Sequence, residues 1–176
     1  MDVETLAVNE VSSLVATCPS LSPLITTNDK TPFTDGHIDI YNDIHRSRDE
    51  WDGRVSVHVK GRSTQTNGKL RKSYPMSRTD LQAFQSDSGV LYFVVFIDPD
   101  TAKRHPFYAL LSPFYIERIL QNASPKTRRI SVPLKDFPSA PDIIERLVRV
   151  AHKTRCGSSI RRHWLTLAQI VYAPVC

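Results

Sequence analysis

Asp35-Gly36-His37-Ile38-Asp39-Ile40-Tyr41 and, further along, Val55-Ser56-Val57-His58-Val59-Lys60-Gly61-Arg62 are the two runs that decide the fold. Each reads as a short β-strand, predicted over residues 37–41 and 54–60. His58 and Lys60 are two positions apart, so both side chains leave one face of a strand. Between the runs, Asn42 to Gly53 is polar and carries His45, Arg46, Arg48, Asp49 and Glu50, which predicts a long hairpin loop. Pairing of the two strands would bring the Asp39 carboxylate, the His58 imidazole and the Lys60 ammonium toward one point. Such a set is suited to a metal ion and a phosphate.

Working outward, residues 3–17 place Val3, Leu6, Ala7, Val11, Leu14 and Val15 near helical spacing, and Cys18-Pro19 ends the pattern. Leu24-Ile25 suggests a short strand. Gly61 to Pro75 has few apolar residues and carries Arg62, Lys69, Arg71 and Lys72, the composition of a loop or wide turn. Ser77 or Thr79 supplies an N-cap for a short helix. Gly89 to Ile97 is the most hydrophobic run, and its β-branched and aromatic content predicts a central strand buried on both faces. Phe107–Leu111 is the next strand, expected to pair with it. Ser112 at N-cap and Pro113 at N1 open a helix to about Gln121. Ile130 to Leu134 reads as an edge strand, because Pro133 cannot donate to a ladder. An amphipathic helix spans Pro141 to about Lys153, and a last helix is expected over 158–169.

This order predicts an α/β (α+β) chain built on one mixed central sheet flanked by helices. At 176 residues a single domain is expected, with a core over about 5–135 and a C-terminal helical extension over about 140–176. The net charge of +5 suits a polyanionic partner without demanding one. Cys18, Cys156 and Cys176 show no CxxC or zinc spacing, which argues against a disulfide framework or structural zinc. With an acidic N-terminus and no apolar run of membrane-spanning length, the expectation is a cytoplasmic protein with no membrane contact. There is no GxSxG, no glycine-rich phosphate loop and no Cys/His nucleophile pattern.

Phosphodiester cleavage needs an activated water and stabilisation of charge on phosphorus and the leaving oxygen. A carboxylate-bound divalent cation and a lysine can supply these. Magnesium needs only one or two protein carboxylates. Asp39 supplies one, and Glu10, on the inward side of the first helix with Leu6 and Leu14, offers a second. Lys60 suits the cationic role. In Glu10, Asp35-Gly36-His37-Ile38-Asp39 and His58-Val59-Lys60 the chain resembles the PD-(D/E)XK nuclease superfamily. It is most similar to the restriction-endonuclease-like domains of bacterial defence proteins. The resemblance covers roughly residues 5–122.

The resemblance implies a metal-dependent endonuclease acting on DNA, with RNA as the other substrate to consider. Mg2+ or Mn2+ would be held by Asp39, His58 and Glu10, with Lys60 completing the catalytic set. Arg62, Lys69, Arg71 and Lys72 would contact phosphates. A homodimer or a separately encoded defence partner would fit the absence of a sensor module. One departure stands out: His58 occupies the position where the family places Glu or Gln. Imidazole is a poor magnesium ligand and an acceptable one for manganese or other transition metals. The alternative is therefore a catalytically inactive nuclease-fold module that binds nucleic acid or a partner protein. A plain interaction domain with no nucleic-acid role is the third reading.

Overall fold

A computed structural model describes residues 2–27, 34–64, 70 and 72–155. The first helix, α1 (Val3–Ala16), starts where Asp2 accepts the backbone N–H groups of Glu4 and Thr5. This satisfies donors that a helix start leaves open. Three strands follow: β1 (Leu21–Ile25), β2 (Gly36–Tyr41) and β3 (Trp51–Ser63). They form an antiparallel meander. Next come β4 (Ser73–Ser77) and α2 (Arg78–Ser86), the helix capped by Ser77. β5 (Val90–Ile97) and β6 (Arg104–Leu111) form the next hairpin. α3 (Pro113–Asn122) begins at the Ser112 cap with Pro113 in its first turn. β7 (Arg129–Pro133), β8 (Lys135–Asp136) and α4 (Pro141–Arg155) complete the described chain.

The fold is mixed α+β, with a central, mostly antiparallel sheet flanked by helices. Its strand order is β1-β2-β3-β5-β6-β8, and β3 with β5 is the parallel pair. The connection from β3 to β5 carries α2, as a parallel crossover requires. β5 sits inside the sheet and is buried on both sides, as its composition predicts. Leu91, Phe93 and Val95 meet Ile38, Ile40, Val57 and Val59 in a core that includes Ala7 and Val11 of α1 and Ile144 and Val148 of α4. Tyr92 and Val94 face the other way, into a core with Leu81 and Phe84 of α2 and Ile116 of α3.

Three expectations are revised. The Ile130–Leu134 segment is not an edge of the main sheet: β7 pairs with β4 in a separate two-stranded sheet, and β8 takes the main-sheet edge. Met76 and Val132 bury into the second core, which draws this small sheet onto that face. The C-terminal extension, as far as α4, is integral to the first core rather than appended to it. The stretch from Gly61 is strand as far as Ser63 and again from Ser73. The helix expected over 158–169 lies outside the described residues, as do Lys69 and Arg71. Among the described residues no helix is long and apolar enough to cross a membrane.

The turn of the β2–β3 hairpin is fixed by contacts from elsewhere in the chain. Register shifts between Ile40 and Tyr41, so that Tyr41 pairs with Trp51 while Ile40 pairs with Gly53. Gly53 has φ +149°, and a Cβ there would stand 2.3 Å from His152 Cε1 on α4. Arg149, one turn earlier on α4, donates to the Tyr41 carbonyl at 2.7 Å and lies 3.5 Å from Asp52.

Candidate functional site

Alternation along β3 sets the site. Val55, Val57 and Val59 point into the first core, so Arg54, Ser56, His58, Lys60 and Arg62 line the opposite face. His58 and Lys60 therefore share a face, as their spacing predicts. Antiparallel register then decides which β2 carboxylate meets them. Asp39 pairs with Arg54, and Gly36 with Val57, so Asp35 stands beside His58.

Asp39 does not join His58 and Lys60. His58 is four residues beyond the register partner of Asp39, about 13 Å along the strand. The Asp39 side chain is 9% exposed and already engaged. Oδ1 accepts the Trp51 indole N–H at 3.1 Å and lies 3.3 Å from Arg54 Nε; Oδ2 lies 3.7 Å from His37 Nε2. Glu10 is also elsewhere. α1 covers the face of the sheet opposite to His58, and Glu10 forms an ion pair with Arg104 of β6 at 3.1 Å. The expected four-residue set of Asp39, His58, Lys60 and Glu10 is thus dispersed over two faces of the sheet.

The carboxylate that does meet His58 is Asp35. Its Oδ2 lies 3.2 Å from His58 Nδ1 and accepts the Val59 backbone N–H at 2.6 Å. One carboxylate therefore holds the backbone of β3 and stands beside the imidazole that the same strand bears. The His58 ring is 14% exposed. It stacks on Tyr92 with centroids 5.0 Å apart and tilts against Phe84 at 5.7 Å. Burial pushes the Tyr92 phenol far above its ordinary range, and the acidic groups of Tyr74 and Asp80 push it the same way. The Tyr92 hydroxyl beside His58 therefore resists ionisation further into the alkaline range than an ordinary tyrosine. Lys60 forms no ion pair among the described residues.

Of the basic residues expected to bind phosphate, Arg62 continues the His58–Lys60 face and is bonded to Tyr74 of β4. Lys72 is exposed and pairs with Asp136 at 2.9 Å. Sequence reasoning missed Asp35, Tyr74 and Tyr92. Asp35 was legible only through the hairpin register, because Asp35-Gly36 has the composition of a turn. Tyr92 lies within a run whose two-sided burial hides which residue faces the site.

Among the described residues no group of three or more His, Cys, Asp or Glu side chains comes together to hold a metal ion. A divalent cation that keeps several of its waters requires fewer protein ligands than that. An imidazole beside a carboxylate suits a transition-metal ion better than magnesium. Asp35 and His58 are the residues that would hold such an ion here. Comparison with known proteins adds no relative: no family model, curated protein or solved structure matches the chain.

Proposed function

We propose that this chain is a restriction-endonuclease-like domain that acts on the phosphodiester backbone of DNA with a divalent cation, centred on Asp35, His58 and Lys60. The observation that carries the reading is the 3.2 Å approach of Asp35 to His58, with Lys60 next on the same strand face. Part of the element order fits the resemblance: a Glu-bearing helix, then after β1 an acidic strand paired with a His-x-Lys strand, and after β4 and α2 a buried strand, a further strand and a helix. The cation would be Mn2+ in preference to Mg2+, and would lower the pKa of a bound water and neutralise phosphate charge. Asp35 orients the His58 ring and fixes the strand at Val59. Lys60 places a positive charge where phosphate charge develops. A role in bacterial defence follows from the resemblance alone.

The experiment is cleavage of plasmid DNA with Mn2+ or Mg2+, comparing wild type with Asp35→Asn, Lys60→Ala and Asp39→Ala. Asp35→Asn keeps an acceptor for the Val59 N–H and removes the charge. Cleavage is expected with Mn2+ in wild type and Asp39→Ala, and is expected to be lost in Asp35→Asn and Lys60→Ala. Equal cleavage by wild type, Asp35→Asn and Lys60→Ala would point to a contaminating nuclease and end the assignment.

The second reading, a nuclease-fold module that binds DNA without cutting it, is favoured by one observation. Asp35 Oδ2 is already shared between Val59 and His58, whose ring is packed against Tyr92 and Phe84. DNA retention with no cleavage under any divalent ion would select it.

A further inference from the structure

Arg62 stands exposed near the end of β3, yet its guanidinium is held in place. Nε donates to the Tyr74 hydroxyl at 2.8 Å, Nη2 donates to the same oxygen, and Cζ lies 5.4 Å from the ring centre. Tyr74 comes from β4, in the small second sheet, so the clamp bridges two sheets. Behind it, the Tyr74 ring lies 6.1 Å from Tyr92, which stacks on His58. One aromatic wall thus supports both ends of the row His58, Lys60, Arg62.

The stoichiometry of donors suits an anion. A guanidinium has five N–H donors. Tyr74 takes two of them, one from Nε and one from Nη2, leaving three for another acceptor. An arginine already held before binding loses less side-chain freedom on contact than a free one. Side chains at alternate positions of a strand step by about 6.6 Å. That stride is comparable to the through-space separation of neighbouring phosphates along one nucleic-acid strand, which is larger than their rise along a duplex axis.

We infer that Arg62 binds the phosphate neighbouring the one handled by His58 and Lys60, and that Tyr74 is the positioning residue that aims it. The inference rests on the DNA reading above and deepens it: the step from Lys60 to Arg62 spans two consecutive phosphates of one strand. Arg62 would then contribute to affinity without reading base sequence, as phosphate contacts do.

The test is binding of a fluorescently labelled DNA duplex, measured by anisotropy across a salt series in EDTA, which separates it from metal-dependent cleavage. Far-ultraviolet circular dichroism confirms that each variant is folded. Arg62→Ala is expected to weaken binding and to reduce the slope of log affinity on log salt by about one. Arg62→Lys keeps the slope and binds more weakly than wild type, because an ammonium lacks the fork. Tyr74→Phe weakens binding several-fold with the slope unchanged, and has no further effect in an Arg62→Ala background. Wild-type affinity and slope in Arg62→Ala, alongside weakened binding in Lys60→Ala, would overturn the clamp and leave the DNA reading standing. An equal effect of Tyr74→Phe with and without Arg62 would overturn the positioning role. No salt-dependent binding by the wild type would overturn both the clamp and the DNA reading.

Discussion

The indole of Trp51 donates to the carboxylate of Asp39 at 3.1 Å, and this bond ties the two strands of the β2–β3 hairpin together beside its loop. Arg54 lies 3.3 Å from the same oxygen and 5.6 Å from the centre of the Trp51 ring. Asp39 is therefore a structural carboxylate. Removing it takes away the acceptor of the indole N–H and the carboxylate that faces the Arg54 guanidinium.

Asp39→Ala is expected to destabilise the fold by about 0.5–1.5 kcal/mol, the net worth of a hydrogen bond whose donor, on the half-exposed Trp51, water can still reach. Asp39→Asn keeps an acceptor for Trp51 and loses the charge that faces His37 and the half-exposed Arg54, so its cost is expected below about 1 kcal/mol. Urea denaturation of the three proteins measures both. Wild-type stability in Asp39→Ala would show that the carboxylate is not structural.

Gly53 is a second anchor of the same hairpin. Its φ of +149° is strained for any residue with a Cβ, and the added carbon would meet the His152 ring. Gly53→Ala is expected to cost about 2–4 kcal/mol, combining backbone strain with overpacking. His152→Ala removes the clash and leaves the strain, so the double variant should lose less than the two single losses added together. Thermal or chemical unfolding of the four proteins tests this. Strict additivity would mean that the two residues do not press on one another.

The same hairpin shows what the sequence carried and what it withheld. Alternation around Ile38-Asp39-Ile40 and Val55-Ser56-Val57 makes both strands legible, and Ser77, Ser112 and Pro113 mark two helix starts. The register is not legible, because it depends on the irregular pairing at Ile40/Tyr41 and on Gly53 docking against α4. A register shift of four residues would exchange Asp35 for Asp39 as the neighbour of His58. Helical spacing shows that Glu10 lies near the inward side of α1, but not which face of the sheet that side covers. Tyr74 eludes sequence reasoning for a related reason: β4 is short, lies in a polar stretch, and finds its partner β7 more than fifty residues later.

Glu10 gives a prediction that separates structure from chemistry. Its ion pair with Arg104 links α1 to the start of β6, with both side chains partly exposed. Glu10→Gln is expected to change stability by less than about 1 kcal/mol, as exposed pairs do. It should leave any DNA cleavage unchanged, because Glu10 lies across the sheet from His58. Cleavage assays at matched protein concentration decide the point. A loss of cleavage in a folded Glu10→Gln protein would return this residue to the catalytic set.

Tyr92 sets the alkaline limit of the fold. Burial raises the Tyr92 phenol strongly, and also raises Tyr108 and Tyr115. A tyrosine in an unfolded chain ionises near pH 10, whereas the buried Tyr92 stays neutral. The unfolded state therefore releases its proton first, and binds fewer protons than the folded state above that pH. Stability is fully present below about pH 10 and falls as pH rises further, by about 1.4 kcal/mol per pH unit for Tyr92 alone. Tyr92→Phe removes this ionisation, so its stability should decline less steeply between about pH 10 and pH 11. Urea midpoints of the two proteins across that interval measure the difference. Parallel declines would show that the Tyr92 hydroxyl reaches water in the folded protein and that the wall behind His58 is not dry.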